Sequence, residues 1–211
     1  VDRFKAIHCH IPITQANLLF GLDSDAGDDP VILNKEFIEN TPWVSHSLNI
    51  PAPFGETPLF KKYFKKNRIL TSMPFTFYCK PYLATTIRHY SPVQYYEKLI
   101  ELFSFMTSIK IQYSGIRESG SFIHKAYQPI RTISLKLMIH TMKQILSLLK
   151  KDRQFRHFHE GETDILPEFY HQKYDRLLGP YKDLVSRSER IPRLTPDIDT
   201  QAVENSQRKC A

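Results

Sequence analysis

The spacing of apolar positions changes twice within the first seventy residues. From Ala16 to Phe20 apolar side chains stand at odd and even positions alike, which predicts a strand from about Ile13 that is buried on both faces, as in a parallel sheet covered by helices. Gly21 and Asp23 mark its carboxyl end. Asp28, Asp29 and Pro30 suit a helix start, because acids and proline are favoured in the first turn. Val31, Leu33, Phe37 and Ile38 then form the expected buried stripe, ending near Asn40 and Pro42. The scheme repeats: Val44 to Ile50 predicts a strand, Pro51 to Pro58 a turn, and Leu59, Phe60, Tyr63 and Phe64 open a short basic helix that fades at Asn67. Strands and helices alternating over short connections predict a βαβα unit of an α/β fold.

Either side of this unit the pattern is helical or irregular. Val1 to His10 reads as a helix end with Phe4 and Ile7 on one side, and Thr71 to Ile87 as irregular chain with an edge strand at Tyr78 to Leu83 and a buried or half-buried Cys79. Ser91, Pro92, Gln94 and Glu97 make a capped helix start. That helix is expected to reach about Ile109 and to bury Leu99, Leu102, Phe103 and Met106. Gly115 to Gly120 breaks the periodicity and sets a boundary. Beyond it Ile130 to Lys151 predicts a strong helix, with Ile133, Leu137, Ile145 and Leu148 apolar and a basic end suited to the helix dipole. Phe155 to Gly179 reads as a short helical tail, and after Arg190 periodicity is lost. The organisation expected is residues 1–114, an α/β unit; 115–190, a helical extension; and 191–211, a disordered tail.

Composition bounds the function. At 211 residues with 41% hydrophobic and 12% aromatic content the chain can bury a core, which excludes wholesale disorder. Cys9, Cys79 and Cys210 form no pattern and fit a reducing compartment better than a disulfide scaffold. No apolar run is long enough to span a bilayer and no apolar signal core is present, so a cytoplasmic protein is expected. The net charge of +7 attracts phosphate or an anionic membrane surface.

Several polar residues stand where chemistry is done in parallel sheets, at strand carboxyl ends. Gln15 and Asn17 share one strand face by period two, and polar groups in a buried strand are costly unless paired. Asn49 is the matching position of the second strand. Gln15, Asn17, Asp23 and Asn49 are thus the expected site wall, with mutual hydrogen bonding as the plain alternative; Asp25 is expected to cap the following helix. His8 and His10 with Asp23 have the residue types of a zinc hydrolase site, although the histidines precede the strand. Lys61, Lys62, Lys65 and Lys66 form a basic helix face. His157, His159 and His171 with Glu160, Glu162 and Asp164 match no metal spacing and read as packing in the tail.

The order of four segments resembles a known family. "LLFGLDSD", "LNIPAPFGETPLF", "KKNRIL" with "FYCKPYLATTIRHYSP", and "FRHFHEGETDILPEFYHQKYDRLLGPYKDLV" look like the late barrel strands and helical tail of radical S-adenosylmethionine (SAM) enzymes of the cobalamin-binding subgroup, which includes hopanoid methylases. The resemblance covers about Ile11 to Leu184. It implies a partial TIM barrel in residues 1–114, with the Pro51, Pro53 and Gly55 turn running beside the adenine of SAM; Gly55-Glu56-Thr57 replaces the family's proline, glycine and threonine. It implies SAM, a [4Fe–4S] cluster and cobalamin as cofactors of a complete enzyme that transfers a methyl group to an unactivated carbon of a small-molecule or lipid substrate. The CxxxCxxC loop that holds the cluster is absent, so the chain alone is expected to bind none of these and to need an amino-terminal half, as a partner or as preceding sequence. No catalytic residue is assigned. The competing expectations are a basic module binding anionic lipid or nucleic acid, and a metal-dependent hydrolase using His8, His10 and Asp23. In the family reading no nucleic acid is expected, and peripheral membrane contact is.

Overall fold

A computed structural model of the chain describes residues 1–8, 10–11, 14–55, 57–119 and 122–192. Its elements are α1 (Asp2–His8), β1 (Gln15–Leu19), α2 (Asp29–Asn40), β2 (Ser45–Asn49), α3 (Pro58–Lys65), α4 (Pro92–Met106), α5 (Ile109–Glu118), α6 (Phe122–Lys151), α7 (Arg153–Glu160) and α8 (Glu168–Leu178). The chain is mostly helical around one parallel sheet, an α/β arrangement at that level; among the described residues the sheet has two strands and does not close into a barrel.

Strands β1 and β2 pair in parallel from Gln15↔Ser45 to Leu19↔Asn49, with α2 as the crossover. The Ser45 amide donates to Thr14 and the Phe20 amide to Asn49, so main-chain groups of even-numbered residues in β1 face β2 and odd-numbered ones face outward. Burial of β1 on both faces is not what forms. Ala16 is buried, while Gln15, Asn17 and Leu19, the last 51% exposed, line an open face. β1 lies at the border of the sheet, and the helices cover only one of its sides. β2 is the more enclosed strand, with Ser45, His46 and Leu48 buried.

Helix α4 is the central support. Ser91 and Gln94 form a capping box with Pro92 in the first turn, so the helix start satisfies its own free amides. It buries Tyr95, Tyr96, Leu99, Leu102, Phe103 and Met106, the last four as expected. Helix α6 packs along it, burying Leu135, Ile139, Met142, Ile145 and Leu149. In α2 only Val31 and Ile38 are buried; Leu33 is exposed and Phe37 is half-buried, in edge contact with Phe4 of α1.

The break expected over Gly115 to Gly120 starts inside a helix, since α5 runs on to Glu118. Ser108 caps α5, and a Cβ at Gly115 would lie 2.8 Å from the Pro42 carbonyl oxygen, so glycine here permits close packing rather than a break. One cluster of buried residues runs from Phe20 through Leu48, Leu99 and Ile145 to Phe155 and Tyr170, across that position. Helix α6 likewise begins at Phe122, before the expected Ile130, and passes through Pro129. The edge strand expected at Tyr78 to Leu83 does not form: a 3-10 turn at Phe75–Phe77 is followed by a cis Lys80–Pro81 bond, and the pairing nearby is a single antiparallel bridge between Ile69 and Thr85. The Tyr78 and Tyr82 amides close local turns on the Phe75 and Cys79 carbonyls, each at 3.0 Å, in place of a ladder.

Candidate functional site

The carboxyl ends of β1 and β2 gather the polar side chains. Gly21, with φ of +103°, turns the chain out of β1; a Cβ there would stand 2.7 Å from the Tyr95 ring. Tyr95 stacks on Phe20 at 5.2 Å and donates to the Phe20 carbonyl at 2.8 Å, fixing the end of the strand from beneath. Asp25 accepts from the amides of Gly21 and Leu22 at 2.8 and 3.0 Å. It therefore caps the turn behind it and not α2, whose cap residue is Asp28.

Asp23 is held from three directions. Arg68 donates to Oδ1, Tyr63 donates to the same oxygen at 3.2 Å, and Lys62 of α3 lies 2.6 Å from Oδ2. Arg68 also stacks on the Tyr63 ring and donates through Nε and Nη2 to the Thr86 carbonyl at 3.2 and 2.8 Å. The hydrogen bonds from Arg68 and then Lys62 hold the Asp23 carboxyl well below the usual carboxylate range, and burial raises the Tyr63 phenol. The arrangement is a clasp joining the β1 turn to α3 and to the chain at residues 68–86.

Asn49 is committed as well. Its Nδ2 donates to the Ser47 carbonyl at 3.1 Å, and its Oδ1 accepts from Lys80 Nζ at 3.0 Å. Lys80 donates to the Ser47 hydroxyl and the Leu48 carbonyl too, both at 3.1 Å, and Arg131 of α6 donates to the His46 carbonyl. By the alternation of the ladder, the carbonyls of His46 and Leu48 point away from β1. The outer edge of β2 is thus occupied by two cationic side chains, brought there from 32 and 85 residues away by the fold and marked by no local signal. Burial lowers the pKa of both, for Lys80 with Arg131 nearby adding to it.

Gln15 donates to Asn17 at 2.8 Å on the exposed face of β1, the mutual hydrogen bond that stood as the plain reading. Pro51 is buried just past β2. The chain matches no protein-family model, no curated protein and no solved structure. Its chemistry therefore rests on the side chains themselves. Of the five expected site residues, Asp23 and Asn49 are taken up by protein partners, Pro51 is inside, and Gln15 and Asn17 remain open to a ligand.

Other candidates are dispersed. Among the described residues no three His, Cys, Asp or Glu side chains are grouped to hold a metal ion. His10 is exposed, Asp23 is engaged as above, and the His8 side chain and Cys9 lie outside the described residues. Cys79 is exposed, contrary to the expected burial, because it follows the 3-10 turn on the outside with Sγ 3.6 Å from the Thr76 carbonyl. His159 is fully buried among Phe155, Phe158 and Tyr170; its Nε2 meets the Tyr170 hydroxyl at 2.9 Å and its Nδ1 has no hydrogen-bond partner. Burial pushes its pKa down to about 3. Clefts lie between α6 and α8, beside Gln144, Leu148, Phe169 and Arg176, and between the segment Asn67 to Thr71 and Asp164. Neither is lined by an expected site residue. Among the described residues no helix is long and apolar enough to cross a membrane.

Proposed function

We propose that this chain is the carboxyl-terminal portion of a cytoplasmic radical SAM enzyme of the cobalamin-binding subgroup, acting in methyl transfer to an unactivated carbon of a lipid-like substrate and inactive by itself. The observation that carries the reading is the parallel β1–α2–β2 unit. Its polar carboxyl-terminal turns stand at one end of the sheet, where α/β folds place ligands. A border strand with an exposed Gln15, Asn17 and Leu19 face and outward-facing main-chain groups suits a chain whose sheet is completed by further strands.

The residues present do not fit an iron–sulfur cluster. The chain has three cysteines in all, far apart in sequence, and Cys79, the one among the described residues, stands alone on the surface. No step through the cluster or cobalamin belongs to this chain. Its share is positional: Asp23, Arg68 and Tyr63 fix the β1 turn, Asn49 and Lys80 fix the end of β2, and Gln15 with Asn17 offers an amide pair to a ligand approaching the open face. The test is to read the coding sequence upstream of Val1. A CxxxCxxC loop behind a cobalamin domain, followed by formation of 5′-deoxyadenosine from SAM by the joined, anaerobically reconstituted protein, is the expected result. Unrelated upstream sequence, or a joined protein that leaves SAM intact, overturns the reading.

A further inference from the structure

Helix α6 is apolar on two opposite sides. The side carrying Leu135, Ile139, Met142, Ile145 and Leu149 is buried against α4 and the core. On the other side Phe122, Ile123, Ala126, Ile130, Ile133 and Leu137 are exposed, with Phe122 at 83%, Ile130 at 64% and Leu137 at 67%. At 100° per residue these six fall within an arc of about 100° and extend over about 22 Å of helix. Lys125, Lys136 and Lys143, all exposed, fall within about 20° of one another and border the arc on its Phe122 side. Exposed apolar residues scattered singly need no explanation, whereas a stripe of this length does.

Charge indicates what covers it. The thirty residues of α6 hold six lysines and arginines and no acid, against a net charge of +7 for the whole chain. A protein partner for such a helix would have to supply matching carboxylates, but a bilayer of anionic lipid supplies negative charge and an apolar layer together. Rings and branched aliphatics on one arc, with lysines along its border, are the arrangement of a helix lying in the interfacial plane, its ammonium groups reaching back to the headgroups. Ile109, Tyr113 and Ile116 of the adjoining α5 form a second exposed apolar row. We infer that the exposed face of α6 between Phe122 and Leu137 seats the protein on the surface of an anionic phospholipid bilayer. This does not depend on methyl transfer.

The experiment is co-sedimentation of the full chain with large vesicles of phosphatidylcholine alone or with 30% phosphatidylglycerol. Binding is expected to the anionic vesicles and to weaken as salt is raised. Replacing Lys125, Lys136 and Lys143 by Gln is expected to lower affinity by about a hundredfold, at roughly fivefold per surface lysine. Ile130→Asp with Leu137→Asp should abolish binding while leaving the far-UV circular dichroism and thermal transition in place, since both side chains are exposed; Ile130→Ser with Leu137→Ser serves if the charged pair disturbs folding. Equal binding to both vesicle types, binding that survives loss of the apolar pair, or a dimer in solution that the apolar pair dissolves without any vesicle binding each overturns the inference. The last outcome would assign the face to a second copy of this chain.

Discussion

Asp23, at the end of β1, and His159, in α7, are both ionisable side chains with a tyrosine hydroxyl in reach, and their surroundings treat charge in opposite ways. Around Asp23 the fold supplies Arg68, Lys62 and the Tyr63 hydroxyl, so the carboxylate is favoured. Around His159 it supplies Phe155, Phe158 and Tyr170 and no counter-charge, so the imidazole stays neutral. The consequence is a difference in acid response. Asp23, with its folded pKa depressed, contributes stability that is present above its ordinary value of 3.8 and is lost as pH falls below it. His159 is also depressed, but as a base: below 6.5 the unfolded chain takes a proton that the folded chain refuses until about pH 3. Acidification therefore draws on the contribution of His159 before that of Asp23.

The largest test of this contrast is Arg68→Met, which leaves Asp23 with Lys62 and Tyr63 and frees the Thr86 carbonyl. A loss of about 3 kcal/mol at pH 7 is expected by urea denaturation, shrinking below pH 4 as Asp23 takes a proton. A small loss independent of pH would mean that water already satisfies the carboxylate. Next is the titration of His159: stability should fall by about 2 kcal/mol between pH 7 and pH 5, and His159→Gln should flatten that slope while leaving the transition below pH 4. Tyr170→Phe removes the partner of a buried imidazole nitrogen and should cost about 1.5 kcal/mol, with no change in the Asp23 response. Asp25→Asn, two residues from Asp23 but held by main-chain amides instead of cations, should cost about 1 kcal/mol or less and leave the strand-end response to acid unchanged.

How far the sequence disclosed all this depended on the range of the interaction. The order β1, α2, β2, α3, α4 was legible because each element carries its own signals: Asp29 and Pro30 open α2, the apolar spacing of Leu59, Phe60, Tyr63 and Phe64 marks α3, although its Thr57 cap reads as turn, and Ser91 to Gln94 open α4. Asp23 could be singled out as the acid at a strand end. Arg68, 45 residues on, could not be paired with it, because that pairing exists only once α3 has folded back. Helix α5 was missed for a related reason. Gly115 carries a breaker's signature, while its actual use, close passage of the Pro42 carbonyl, is a tertiary fact. The two-sided apolar pattern of α6 blended into one strong helix signal, in which Ile145 is buried and Ile133 and Leu137 are exposed. The run from Ala16 to Phe20 overstated burial, since a period cannot tell a central strand from a border one.

The cations on β2 also set how this protein can associate. With Arg131 and Lys80 donating to the His46 and Leu48 carbonyls, a strand arriving on that side would have to displace two charge-assisted hydrogen bonds, whereas β1 presents its outer main-chain groups to any extended segment. Polymerisation by strand addition needs two sticky ends, and among the described residues this sheet has one. Two copies meeting through β1 would bring together a four-stranded sheet closed by the same cations at both ends. Strand addition between the described edges would be self-limiting, ending at a pair.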